Sequence, residues 1–161
     1  MKLNYFKELH PIKEGNRLWR YRLTTMIALK LHGGAATHPD CQMFVKGQLM
    51  AEIANGHLYM YPPYAWNGCS PKKYIGWPPL GKWIGTPDFD WNLRASCGHD
   101  VLFQFSALLQ FSMAEVNYCF FKWMEEDKAP NLMRDIYHGA VDKWGNKYWA
   151  MEDKSLGVKY V

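Results

Sequence analysis

The chain lacks any long apolar run. No stretch approaches the roughly 18 consecutive apolar residues that a membrane-spanning helix needs, so the sequence predicts no transmembrane segment. Met1-Lys2-Leu3-Asn4 opens no apolar leader, so no secretory signal peptide is expected either. Basic residues form no cluster beyond pairs such as Lys72-Lys73, and the formal net charge of +4 is spread along the chain, which gives no signal for a nucleic-acid partner. The four cysteines (Cys41, Cys69, Cys97 and Cys119) are far apart and none belongs to a Cys-x-x-Cys pair, which argues against a zinc knuckle. Without a leader, such cysteines are expected as free buried thiols in a reducing compartment. The sequence also has no internal repeat and no low-complexity tract.

What it has is aromatic and hydrophobic mass. Of 161 residues, 48% are hydrophobic and 16% aromatic, which excludes a disordered chain. The length suits a single domain, 1–161, and buries roughly 70% of the unfolded surface. Residues 1–16 are mixed and polar and read as an arm or irregular lead-in. From Arg17 to Leu31 the chain alternates, with Trp19, Tyr21, Leu23, Thr25, Ile27, Leu29 and Leu31 on one face, the period-two signature of a strand. That run is long for one strand, so a bend is expected near Thr24-Thr25. A short strand is expected at 43–46. Asn55-Gly56 then marks a two-residue hairpin, pairing Ala54 with His57, Ile53 with Leu58 and Ala51 with Met60. Leu49, Ala51, Ile53, Leu58 and Met60 thereby share one apolar face. Residues 62–90 read as a long loop rich in Gly, Pro and Trp, a length more often functional than passive.

The remainder reads as helical. Helices are expected at about 92–109, 113–126 and 130–144. Asp90 or Asn92 caps the first, Ser112-Met113-Ala114-Glu115 forms a capping box for the second, and Pro130 and Gly145 bracket the third. Leu132, Ile136, Ala140 and Trp144 are the expected core face of that third helix. The tail around 158–161 reads as a returning strand. The expected class is α+β: a small antiparallel sheet from about 17–61 covered by three helices.

One dipeptide stands out. On a helix advancing about 100° per residue, Leu93, Cys97, Val101 and Leu108 form an apolar stripe, and Asp100 falls within roughly 20° of Leu93. A carboxylate on such a stripe needs a cation or hydrogen-bond donors. His99, beside it, carries an imidazole, the side chain most often used for proton transfer. Asp100 offers a carboxylate that can bind a divalent cation such as calcium, magnesium or zinc. Glu115 is explained by its capping box, but across a helical hairpin it could orient the imidazole as a triad carboxylate does. In the aromatic loop, Ser70 and Cys69 are nucleophile types, and Asn67 is either a turn former or a polar site residue. His10, His32, His38 and His57 show no ligand spacing to one another, and His138 reads as a surface residue.

These stretches resemble a phage- and prophage-associated family. Its members carry Gly-Tyr-x-Trp-Asp-Gly-Ala-Ser-Pro in a loop, then Ala-Ser-x-x-His-Asp-x-Leu-Tyr-Gln, an Ala-Asp-x-x-Phe helix and a Tyr-x-x-Val-x-x-Phe-Gly helix. The corresponding residues here run from Pro63-Tyr64-Ala65-Trp66-Asn67-Gly68-Cys69-Ser70-Pro71 to Ala95-Ser96-Cys97-Gly98-His99-Asp100-Val101-Leu102-Phe103-Gln104. Ala114-Glu115-Val116-Asn117-Tyr118 and the stretch from Tyr137 to Gly145 follow in the same order. The resemblance covers about 48–149. It departs where Asn67 and Glu115 replace aspartates and Phe103 replaces tyrosine; loss of the carboxylate at Asn67 weakens any cation site. It implies a phage or prophage source, located in the host cytoplasm or an assembled virion, and brings no settled activity. A weaker likeness is to calcium-type phospholipases, in which a His-Asp dipeptide faces an acid on the next helix. It implies a water-activating role for His99, cation holding for Asp100 and imidazole orientation for Glu115, although residues 81–85 do not match the calcium loop of those enzymes.

Two readings follow. One is a hydrolase with His99, Asp100 and Glu115, and Ser70 as a further catalytic candidate, beneath a loop that binds through Trp66, Asn67, Cys69 and Trp83. The other is a non-catalytic virion component or host-factor binder. It would meet phage structural proteins or a host protein through an aromatic surface of Trp66, Trp77, Trp83 and Trp91.

Overall fold

The computed structural model describes residues 5–14, 17–69, 72–75, 82–85, 88–147, 149 and 153–161. The chain is α+β. Strands β3 (Ile27–Lys30), β4 (Cys41–Val45), β5 (Gln48–Ala54), β6 (His57–Met60) and β10 (Leu156–Tyr160) form a five-stranded antiparallel sheet in the order β10-β4-β5-β6-β3. A second sheet joins β1 (Tyr5–Glu14), β2 (Arg17–Leu23) and β7 (Ala65–Trp66) in the order β1-β2-β7, and β8 (Lys72–Ile75) pairs with β9 (Lys82–Gly85). The helices are α1 (Asp90–Gln104), a single turn α2 (Ser106–Leu109), α3 (Met113–Glu126) and α4 (Asn131–Trp144). Among the described residues, no helix is long and apolar enough to cross a membrane.

The Asn55-Gly56 turn sets the register. Both residues have positive φ (50° and 70°), the conformation a two-residue hairpin requires, and Ala54 pairs His57, Ile53 pairs Leu58 and Ala51 pairs Met60, as the sequence predicts. Ile53 and Leu58 are both buried. Leu49 leaves the predicted face. The β4–β5 register slips between Met43, paired with Ala51, and Phe44, paired with Leu49; the extra residue turns Leu49 off the buried side.

The long alternating run breaks at residues 24–26, where the bend was expected. The break sends its halves to different sheets: β2 pairs with β1 and β7, and β3 pairs with β6. Residues 5–14, expected as an irregular lead-in, form a strand, because β2 offers them an edge to pair along. Three short strands, β7, β8 and β9, also lie within the stretch expected as loop. The tail returns as β10 against β4.

The core lies between the five-stranded sheet and the helices. Leu29, Leu31, Cys41, Met43, Ala51, Ile53, Leu58 and Met60 meet Cys97, Val101, Cys119, Phe120 and Trp123 in one buried cluster. Gly98 sets how closely α1 sits on the sheet: a Cβ there would lie 2.4 Å from Leu29 and 2.8 Å from the Trp123 ring. The Trp123 indole N–H donates to the Lys30 carbonyl at 2.6 Å, tying α3 to β3.

Two helical expectations are corrected. The first helix does not run through 109; it breaks at Phe105, whose backbone (φ −97°, ψ 6°) leaves the helical region, and Leu108 consequently faces solvent rather than the core. On α4 the core side is Tyr137, with Met133 and Val141 packed partly against the core, while Leu132 and Ile136 are 70% and 52% exposed. The α4 sequence carries apolar residues on two neighbouring stripes, one residue or about 100° apart, and the edge-on contact of Tyr137 with Trp91 selects the second.

Candidate active site

Two helices converge on His99. Helix α1 presents it one residue after the close-packed Gly98, and α3 runs alongside. The imidazole is 7% exposed and lies against the rings of Phe103 and Phe120, 4.3 and 4.8 Å between centroids. Its Nε2 hydrogen-bonds Asn117 Oδ1 at 3.0 Å. Its Nδ1 lies 4.0 Å from Asp100 Oδ1, beyond a direct hydrogen bond and close enough for one water to bridge. Asp100 is a quarter exposed, at the rim of the stripe rather than in its centre, so its carboxylate keeps contact with solvent.

Asn117 is itself held. Its Nδ2 donates to Asp142 Oδ1 on α4 at 2.5 Å, and the other oxygen of Asp142 faces His138 Nδ1 at 3.3 Å. A polar chain thus runs from buried His99 through Asn117 and Asp142 to partly exposed His138.

The imidazole's partner on α3 is Asn117; Glu115 serves the helix end. The Glu115 carboxylate accepts from the Ser112 backbone N–H at 2.8 Å and hydroxyl at 2.7 Å, and the Ser112 hydroxyl accepts from the Glu115 N–H at 3.2 Å, a complete capping box. Those two donors hold its pKa below the usual carboxylate value. Its other oxygen lies against Gly34, where a Cβ would come within 2.3 Å.

The aromatic loop packs onto the start of α1, one and two turns before His99. The buried Trp66 indole donates to Ser96 Oγ at 3.2 Å, and the Ser96 hydroxyl donates to the Leu93 carbonyl at 2.9 Å. Cys69 is buried, with its Sγ 3.9 Å from the Asn92 carbonyl. Asp88 closes the loop: its Oδ1 accepts from the Cys69 N–H at 3.0 Å, and its Oδ2 from the Tyr21 hydroxyl at 2.6 Å and from Arg20 at 3.1 Å. Gly68, at φ 76°, leaves room for that carboxylate, since a Cβ would sit 2.3 Å from Asp88 Oδ1. Burial, with Cys69 and Asp88 close by, pushes the pKa of the Tyr137 hydroxyl up against a hydrogen bond with Asn92. Asn92 was expected as a cap; it sits three residues inside the helix, and its side-chain oxygen accepts from the Phe89 N–H at 2.9 Å.

The structure therefore brings the loop, through Trp66 and Cys69, to the same helix as His99 and Asp100. Asn67 makes no hydrogen bond to either; its buried Oδ1 is without a partner among the described residues. Ser70 and the side chains of Trp77 and Trp83 lie outside the described residues. Trp66 is buried, so its contacts are internal, and Trp91 is partly buried and stacked on Phe89 at 4.9 Å. All four cysteines are free and buried.

Among the described residues no three His, Cys, Asp or Glu side chains are grouped to hold a metal ion.

Sequence reasoning missed Asn117, Asp142 and Asp88. The signal for Asn117 was present: it lies seven residues before Met124 on the buried stripe of α3, the same argument that singled out Asp100.

Compared with known proteins, the chain matches no family model, no curated protein and no solved structure.

Proposed function

We propose that this is a bacteriophage or prophage protein acting as a hydrolase, with His99 as general base and Asp100 as its partner. The observation that carries the reading is the asymmetry of the imidazole: Nε2 is held by Asn117, and Nδ1 faces the Asp100 carboxylate across 4.0 Å. A water about 2.8 Å from both would subtend roughly 90° between them, close to the angle between its own two hydrogens. Held so, it gives one hydrogen to Nδ1 and one to Asp100, and turns a lone pair outward. As its oxygen attacks an electrophilic carbonyl or phosphoryl centre, its proton passes to Nδ1, and Asp100 stabilises the imidazolium that results. The imidazolium then returns the proton to the leaving group. Ser70 is not required as a nucleophile in this scheme.

The experiment is turnover of chromogenic ester, amide and phosphoester probes by the wild type and by His99→Gln. Glutamine preserves a donor for Asn117 and much of the buried volume but cannot serve as a base. The expected result is turnover of at least one class, reduced about 100-fold or more in His99→Gln, the range a positioned general base supplies. Equal turnover by the two proteins would overturn the reading.

A second reading, a non-catalytic virion component or host-factor binder, is favoured by one observation. Leu132 and Ile136 form an exposed apolar strip one turn apart on α4, and the exposed Phe89 is stacked on Trp91. That strip, and not Trp66, would be its contact surface.

A further inference from the structure

We infer that Asn117, anchored by Asp142, is a positioning residue that fixes which nitrogen of His99 exchanges protons. This rests on the general-base reading above and goes beyond it, because it assigns the tautomer and the device that sets it.

The two ends of an asparagine amide have the same shape, so chemistry decides which way it points. The Asp142 carboxylate can only accept hydrogen bonds. The end of Asn117 facing it at 2.5 Å must therefore be the NH2 group. The opposite end, facing His99 Nε2 at 3.0 Å, is then the carbonyl oxygen, which also only accepts. Nε2 must carry the hydrogen. In the neutral ring that leaves the lone pair on Nδ1, on the side of Asp100. One exposed carboxylate on α4 thus dictates, through one buried amide on α3, the protonation pattern of a buried ring on α1.

The other groups around the ring do not compete. On α1 the ring meets Phe103 and Asp100; on α3 it meets Phe120 and Asn117, while Glu115 is occupied by Ser112. From α4, Asp142 reaches the ring through Asn117, and its second oxygen is engaged by His138. Asn117 is 1% exposed, so no solvent replaces it as acceptor.

The fold needs no large change to test this. Asp142 is about half exposed, and Asp142→Asn keeps its shape. An asparagine there can donate as well as accept, so the Asn117 amide is free to reverse and to offer its NH2 group to Nε2. The measurement is nitrogen-15 NMR of the His99 ring, with long-range proton correlations, at a pH where the ring is neutral. In the wild type, Nε2 is expected as the protonated, pyrrole-type nitrogen and Nδ1 as the bare, pyridine-type one. In Asp142→Asn the two resonances move toward each other as the Nδ1–H form becomes populated. Asn117→Leu, which removes the acceptor altogether, moves them the same way. An Nδ1–H ring in the wild type, or a wild-type pattern retained in both variants, overturns the inference. The spectrum needs no substrate, so a protein with the expected tautomer and no hydrolytic turnover would sink the general-base reading and leave the lock standing.

Discussion

The Trp66 indole N–H and the Ser96 hydroxyl meet at 3.2 Å across 30 positions of sequence, inside the protein. This bond joins the aromatic loop to the helix that carries His99, and the Ser96 hydroxyl passes its own hydrogen to the Leu93 carbonyl. Ser96→Ala is expected to cost about 1–3 kcal/mol, because a buried donor loses its acceptor. The double variant Trp66→Phe/Ser96→Ala should lose less than the sum of the single losses, with a coupling of about 0.5 kcal/mol or more. Urea unfolding of the four proteins measures it; additive losses would show that the pair does not hold the loop down.

The orientation of α4 makes a second prediction. Leu132→Glu and Ile136→Glu should each change stability by no more than about 0.5 kcal/mol, since both side chains already face water. Tyr137→Ala, on the buried side, should cost about 3 kcal/mol or more. The reverse order in urea titrations would restore the helix face that the sequence pattern suggested.

Legibility in the sequence followed the reach of the interaction. The hairpin was readable because Asn55-Gly56 and the alternation around it are local and agree. The α3 start was readable because Ser112 and Glu115 satisfy each other within one turn. The α4 face was not, because two stripes are nearly equal in apolar content and Trp91, 46 positions from Tyr137, decides between them. In the candidate site, His99 and Asp100 were visible as polar residues beside an apolar stripe. Glu115 was the wrong choice of partner for the ring, since spacing alone could not tell a capping acid from an orienting one. Asn117 carries no charge and so drew no notice, yet it holds the imidazole.

The capping box gives a pH dependence. Its two donors from Ser112 lower the Glu115 pKa in the folded chain. A depressed carboxyl contributes stability that is fully present above its unfolded value, about 4.3, and is lost as the pH falls through the folded value. Glu115→Gln should therefore be less stable than the wild type at pH 7, with the difference shrinking as the pH drops toward 3. Urea midpoints across that range provide the check; a gap that stays constant or widens would show that the charge of Glu115 does not support the cap.

The cysteines should be inert while the chain is folded. Burial pushes the Cys41 and Cys119 thiols up to about 11, and raises Cys97 well above its ordinary value, so little thiolate exists near neutrality. All four are free and buried. A thiol reagent at pH 8 should label none quickly in the native protein and all four in denaturant. Rapid native labelling of Cys69 would show that the loop opens and would reinstate it as a nucleophile.

The most direct measurement of the central claim is turnover of the hydrolysable probes by the wild type, His99→Gln, Asp100→Asn and Leu132→Glu/Ile136→Glu, side by side, with melting temperatures taken on the same samples. His99→Ala is unsuitable, because emptying a buried, hydrogen-bonded site costs stability whatever the ring does. The account predicts that His99→Gln and Asp100→Asn stay folded and lose turnover, His99→Gln by about 100-fold or more, while the α4 variant keeps the wild-type rate. Wild-type protein that turns over none of the probes, or a His99→Gln variant as active as the wild type, would contradict it.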